Sequence, residues 1–257
     1  APIEFYASAD FARAVSETAA EATWTPGRVS ATNLQLSGVD EADTVKTDGH
    51  HLFLLRNCGA KTCVATYELD SANALASELS SRELSGALSA SGMYFIKGPN
   101  DDGDLLITLG SDPSHGLWID LWNWTSNTTE LEFFDASDPG DLVPVESLSI
   151  DGTLVASRRV GDMLYTVTRF TPFLEGYYPY AYDEESLTAN ATVLGGSSLE
   201  DLLPTVMDSG QHRKSLVAPY TCYLPTSYLD GGRTPSIITL TAIPLSAPGD
   251  HQSNCFI

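Results

Sequence analysis

A glycine–aspartate pair followed at once by an apolar run occurs three times in this chain, at nearly even spacing. The copies are Asp48-Gly49 before His50-His51-Leu52-Phe53-Leu54-Leu55, Gly103-Asp104 before Leu105-Leu106-Ile107-Thr108-Leu109, and Gly161-Asp162 before Met163-Leu164-Tyr165-Thr166-Val167. Their glycines lie 54 and then 58 residues apart. A tight polar turn running into Leu, Ile, Val and Tyr reads as the start of a β-strand. A fixed period of this length points to a chain assembled from like supersecondary units.

A second unit interleaves with the first. It is a strand that ends in a turn of small or polar residues: Thr66-Tyr67-Glu68-Leu69-Asp70-Ser71, then Leu131 to Pro139, then Ile238 to Leu245. The third copy arrives late because a long segment, about 171–235, is inserted. Two interleaved units per period imply about four strands per repeat. A lone four-stranded sheet cannot cover both its faces, whereas sheets stacked around an axis cover each other. The fold expected is therefore all-β, with about three four-stranded β-propeller blades. A β-sandwich would need no repeated unit. Closed rings have four to eight blades, so three leave the ring incomplete. Further blades are then expected from a longer precursor, another chain or a symmetry mate. Ahead of the repeats, Phe5 to Ala22 is rich in Ala and Glu and free of Gly and Pro, the pattern of a helix. The organisation expected is an N-terminal helical segment over 1–30 and a partial propeller over 31–257, with no second long helix.

The chain carries 34 acids against 13 bases, a net charge of −21. Such a field repels nucleic acid and anionic lipid and favours cations and basic partners. No apolar run is long enough to span a bilayer, so membrane insertion is not expected. The four cysteines form no Cys-x-x-Cys pair. An even count without metal-site spacing favours disulfides formed in an oxidising compartment. Cys58 and Cys63 flank a four-residue turn suited to a hairpin staple, which leaves Cys222 and Cys255 to pair with each other. These features fit a secreted protein.

The stretch Thr32 to Gly49, with Gly38-Val39-Asp40-Glu41-Ala42-Asp43 and then Val45-Lys46-Thr47-Asp48-Gly49 at its centre, resembles the opening of a family of secreted bacterial and archaeal β-propeller domains, distantly related to WD-repeat proteins. Ser157 to Tyr165 and Thr168-Arg169-Phe170-Thr171-Pro172 resemble it too. Together the matching stretches run from about residue 32 to 245. The resemblance implies export and a propeller fold, implies no enzyme activity, and implies a longer domain of which this chain is the N-terminal half.

Candidate sites follow from the chemistry of particular clusters. Asp40, Glu41 and Asp43 put three carboxylates within four residues, which calls for a cation or for arginines. They are either ligands of a hard cation or partners of Arg158 and Arg159 in a latch on the first blade. Asp101, Asp102 and Asp104 surround Gly103 as in part of a calcium loop, without the closing Glu; the bland alternative is a strand turn. Calcium is the one candidate cofactor. Trp118 and Trp122 share a face if their stretch is a strand, and form a partner platform or a core. Tyr177, Tyr178, Tyr180 and Tyr182 lie in the insertion, where a long loop on a rigid scaffold suits recognition. Asn190-Ala191-Thr192 matches the glycosylation pattern. No nucleophile elbow, zinc-protease motif or phosphate loop is present.

The function expected is a non-catalytic, secreted interaction or assembly module, its partner being a copy of itself or another chain that supplies the missing blades. The alternatives are a calcium-binding surface protein and a carbohydrate-active or other hydrolase.

Overall fold

The computed structural model describes residues 39–85, 89–98, 103–111, 128–172, 174–178, 181–209, 211–224 and 236–257. After a two-residue strand β1 (Val39–Asp40), the first meander runs β2 (Val45–Thr47), β3 (His51–Cys58), β4 (Lys61–Asp70) and β5 (Leu75–Glu83). The second runs β6 (Ser89–Ile96), β7 (Leu105–Ser111), β8 (Thr128–Asp135) and β9 (Val143–Asp151). The third opens with β10 (Thr153–Val160) and β11 (Met163–Phe170). It is interrupted by helix α1 (Glu184–Gly196), β12 (Thr205–Asp208) and β13 (Arg213–Ser215), and closes with β14 (Ile237–Pro244) and β15 (Gln252–Phe256). Each meander is an antiparallel sheet, a blade, in which spatial order follows chain order.

The repeats map onto equivalent strands. The glycine–aspartate unit supplies the second strand of each blade, β3, β7 and β11, and the other unit supplies the third, β4, β8 and β14. Gly49, Gly103 and Gly161 lead into those second strands with φ of 98°, 76° and 57°. The left-handed region they occupy is open to glycine at little cost, which is why the turn repeats along with the strand.

Side-chain alternation then builds two cores. In β7, Leu106 faces the first blade while Ile107 and Leu109 face the third; in β8, Phe134 and Leu131 with Phe133 divide the same way. Phe53, Val64, Leu84, Met93, Leu106 and Phe134 fill the gap between the first and second blades. The second and third meet through Tyr94, Leu131, Phe133 and Leu148 on one side and Leu164, Phe170, Ile237 and Ile243 on the other. Each fully buried side chain of this size contributes roughly 1.5–3 kcal/mol. The middle blade thus packs against a neighbour on both faces.

The insertion holds elements that the sequence reading did not anticipate. β12 pairs with β9 and β13 with β12, so the outer edge of the second blade is extended by chain inserted into the third. Asp151 secures the join by accepting from the Thr205 amide at 2.8 Å and its hydroxyl at 2.6 Å. Helix α1 escaped detection because Thr, Asn, Val and a closing Gly-Gly give it little apolar periodicity, and among its residues only Asn190 is buried. Its one legible signal is Asp183, whose carboxylate caps the Ser186 amide at 2.8 Å ahead of Glu184 and Glu185.

Both disulfides pair as the sequence suggested: Cys58 with Cys63, and Cys222 with Cys255, with Cα separations of 5.9 and 4.5 Å. The N-terminal helix expected over residues 5–22 lies outside the described residues.

Candidate functional site

Residues 39–47 touch all three blades. β1 pairs with β10, the first strand of the third blade, through Val39–Val160 and Asp40–Arg159. Asp43 then makes an antiparallel bridge to Met93 in β6, the first strand of the second blade. The chain next becomes β2, the first strand of the first blade. The Tyr94 hydroxyl and the Ser157 hydroxyl, 2.9 Å apart, link β6 to β10 directly. The first strands therefore converge, and the segment stitches them together along the propeller axis. Its fit is close: a methyl group on Gly92 would sit 2.7 Å from the Ala42 Cβ.

The carboxylates of this segment point to different partners. Lys46 donates to Asp40 at 3.1 Å and to the Glu41 carbonyl at 2.7 Å, and it lies 5.8 Å from the centre of the Tyr94 ring. Arg159 reaches Asp40 at 3.5 Å, and Arg158 reaches Glu41 at 3.1 Å. Asp43 accepts from the Thr44 amide at 2.7 Å. The carboxylates do pair with Arg158 and Arg159, with Lys46 added at the centre, but the pairing joins β1 to the third blade and not, as the sequence suggested, to the first. Burial pushes the Tyr94 phenol above its usual range, so it stays neutral. Among the described residues, no three His, Cys, Asp or Glu side chains converge as a metal cage would require.

Asp104 is buried and turned to local work. It accepts from the Gly98 amide at 2.8 Å and faces Lys97 at 3.7 Å. Asp101 and Asp102 lie outside the described residues, as do Trp118, Trp122 and Tyr180.

The remaining tyrosines divide by environment. Tyr178 and Tyr182 are 54% and 87% exposed, whereas Tyr177 is half-buried and lines a cavity. Asn190 fixes this loop to α1: its carbonyl accepts from the Tyr178 amide at 2.7 Å and its amide donates to the Tyr178 carbonyl at 2.8 Å. The glycosylation pattern at Asn190 thus coincides with a buried structural clamp. The cavity, about 270 Å³, is walled by apolar side chains from the insertion, Leu174, Leu194, Leu199 and Leu202 among them, with Ile237 and Ile257 of the third blade. Sequence reading found the tyrosines but not this cavity, since its walls are scattered over more than 80 positions.

A comparison with curated proteins finds no match. A family model, the Beta propeller domain, matches residues 29–257. That span takes in the converging first strands, the repeated second and third strands and the insertion, and the chain belongs to the Beta propeller domain family.

Proposed function

We propose that this chain is a non-catalytic interaction and assembly module of the cell surface or extracellular space, completed by blades beyond the three described. One observation carries the reading. By the strand register, the third blade turns outward a face that carries Val160, Met163, Tyr165, Val167, Ile238, Leu240 and Phe256, with Arg158, Arg169, Gln252 and Asn254 set among them. Val160, Leu240 and Phe256 are 45%, 37% and 43% exposed, whereas Leu131, Phe133 and Leu148 on the equivalent face of the middle blade are fully buried. A largely apolar face of this kind on an end blade suits cover by another sheet.

Two features support the setting. Both disulfides suit an oxidising compartment. The charge of −21 keeps an exported protein soluble and selects basic partners over nucleic acid.

Light scattering coupled to size-exclusion chromatography tests the proposal. The expected result is concentration-dependent association, or capture of a blade-bearing partner, through the third blade. A compact monomer at every concentration, with that face still open to solvent-borne apolar dyes, overturns it.

A further inference from the structure

The cavity of about 270 Å³ lies where the insertion meets the third blade, and Leu174, Tyr177, Leu194, Leu203 and Ile257 form much of its wall. It falls just below the roughly 300–1,000 Å³ that hold a whole drug-sized ligand, a size suited to one bulky side chain. The half-exposed Leu194 leaves an open lip. The stretch Thr171–Ser209, which supplies most of the wall, holds seven Asp and Glu residues and no Lys, Arg or His. Exposed Glu175 adjoins Leu174 in the chain, and exposed Glu200 and Asp201 separate Leu199 from Leu202. The Ser198 amide and hydroxyl hold the Asp201 carboxyl below the usual carboxylate range, so it is anionic at neutral pH. An apolar socket whose wall residues adjoin exposed acids in the chain is complementary to an apolar anchor flanked by cations.

We propose that this cavity receives one bulky apolar side chain from a basic peptide segment of a partner protein. The proposal rests on the interaction-module reading and names the partner's chemistry at the insertion. Tyr178, whose backbone the Asn190 clamp holds, follows Tyr177 of the wall and adds an exposed aromatic face for cations.

Fluorescence anisotropy on the intact chain, at low salt, tests it with a labelled Lys-Arg-Lys-Phe-Lys-Arg-Lys peptide and its twin carrying Ala in place of Phe. The Phe peptide is expected to bind about tenfold tighter than the Ala twin. Leu194→Trp, which fills the socket from its exposed lip, removes that difference. Glu200→Gln with Asp201→Asn weakens both peptides alike. Equal affinity of the two peptides, or a difference that survives Leu194→Trp, overturns the proposal in favour of attraction by net charge alone. A photoreactive benzoylphenylalanine at the anchor position gives a readout that needs no variant. Cross-links within residues 172–203 or at Ile257 support the socket, and cross-links confined elsewhere refute it. Light scattering on the same samples separates the two readings. A monomer that binds the Phe peptide in the socket refutes blade completion alone, and an assembling chain with no anchor preference refutes the socket alone.

Discussion

The two end blades turn very different faces outward. On the first, the register puts Val45, Leu52, Leu54, Ala65 and Tyr67 on the outer side together with Arg56, Cys58 and Cys63. Arg56 reaches over two strands to Glu78 at 2.6 and 3.1 Å and to the Tyr67 hydroxyl at 3.0 Å, and the Cys58–Cys63 bridge lies on the same side. Ala65 and Cys63 end up buried. On the third blade the arrangement is reversed. Its disulfide residue Cys255 pairs with Thr239 on the inward side and joins the core shared with the second blade, leaving an outward side of aliphatic and aromatic residues interspersed with Arg158, Arg169, Gln252 and Asn254 and bridged by no disulfide. One blade ties its outer face with a disulfide and an ion pair, and the other carries its disulfide on the inward side. The repeat is the same in both, so the difference lies in which face carries the staples.

Removing the staples tests this most strongly. The Cys222–Cys255 bridge spans 33 residues and ties the insertion to β15, whereas Cys58–Cys63 spans only 5. On the loop-entropy account, Cys222→Ser with Cys255→Ser costs about 4 kcal/mol and Cys58→Ser with Cys63→Ser about 2 kcal/mol. Denaturant unfolding of the two double variants measures both, and equal losses would erase the asymmetry.

Next in size is the effect on association. Leu240→Lys places a charge in the middle of the third blade's outer face and is expected to raise the dissociation constant about tenfold, or about 1.4 kcal/mol. Val45→Lys on the outer face of the first blade should change it less than about threefold. Sedimentation of the two variants would show whether the bare face is the one in use.

The inward side of the third blade makes a finer test. The hydroxyls of Thr166, Thr168 and Thr239 are buried with no hydrogen-bond partner. Thr166→Val keeps the shape, removes that penalty and should stabilise the fold by about 1 kcal/mol. In the middle blade, Thr129→Val breaks a 2.7 Å bond to the Gly152 carbonyl and should destabilise it by a similar amount. Opposite shifts in melting temperature are expected.

The smallest effect concerns pH and belongs to the first blade. Burial pushes the Asp48 carboxyl up, but hydrogen bonds from the His51 ring and from the His51 and His50 amides outweigh it, so it titrates below its usual range. A depressed carboxylate contributes stability that is present above its unfolded value, about 3.9, and is lost as pH falls through the folded value. Asp48→Asn should therefore flatten the acid limb of the stability profile below about pH 4. An unchanged profile would show that the turn's hydrogen bonds are not coupled to folding.

Much of the blade pattern was legible because it is local. The Asp-Gly and Gly-Asp turns announced β3, β7 and β11, since a left-handed glycine next to alternating apolar residues has few other uses. Arg158 and Arg159 were paired with the Asp40–Glu41 carboxylates from charge logic alone, yet Lys46 was missed although it stands only six residues from Asp40. Its role depends on the segment crossing between blades, and no periodicity encodes that crossing. α1 was missed for a different reason: its helical bias is weak and the fold, not the sequence, holds it in place.

The amino-acid order alone determined the class of fold, the repeat that numbers the blades, the disulfide pairs and the acidic surface. All four depend on neighbours in the chain, on short spacings or on simple counts. Tertiary structure decided that residues 39–47 join three first strands at the axis, that the insertion thickens a blade other than its own, and that a socket forms under α1. Each of these depends on surfaces brought together across tens of residues, where the geometry of stacked, twisted sheets sets the contacts.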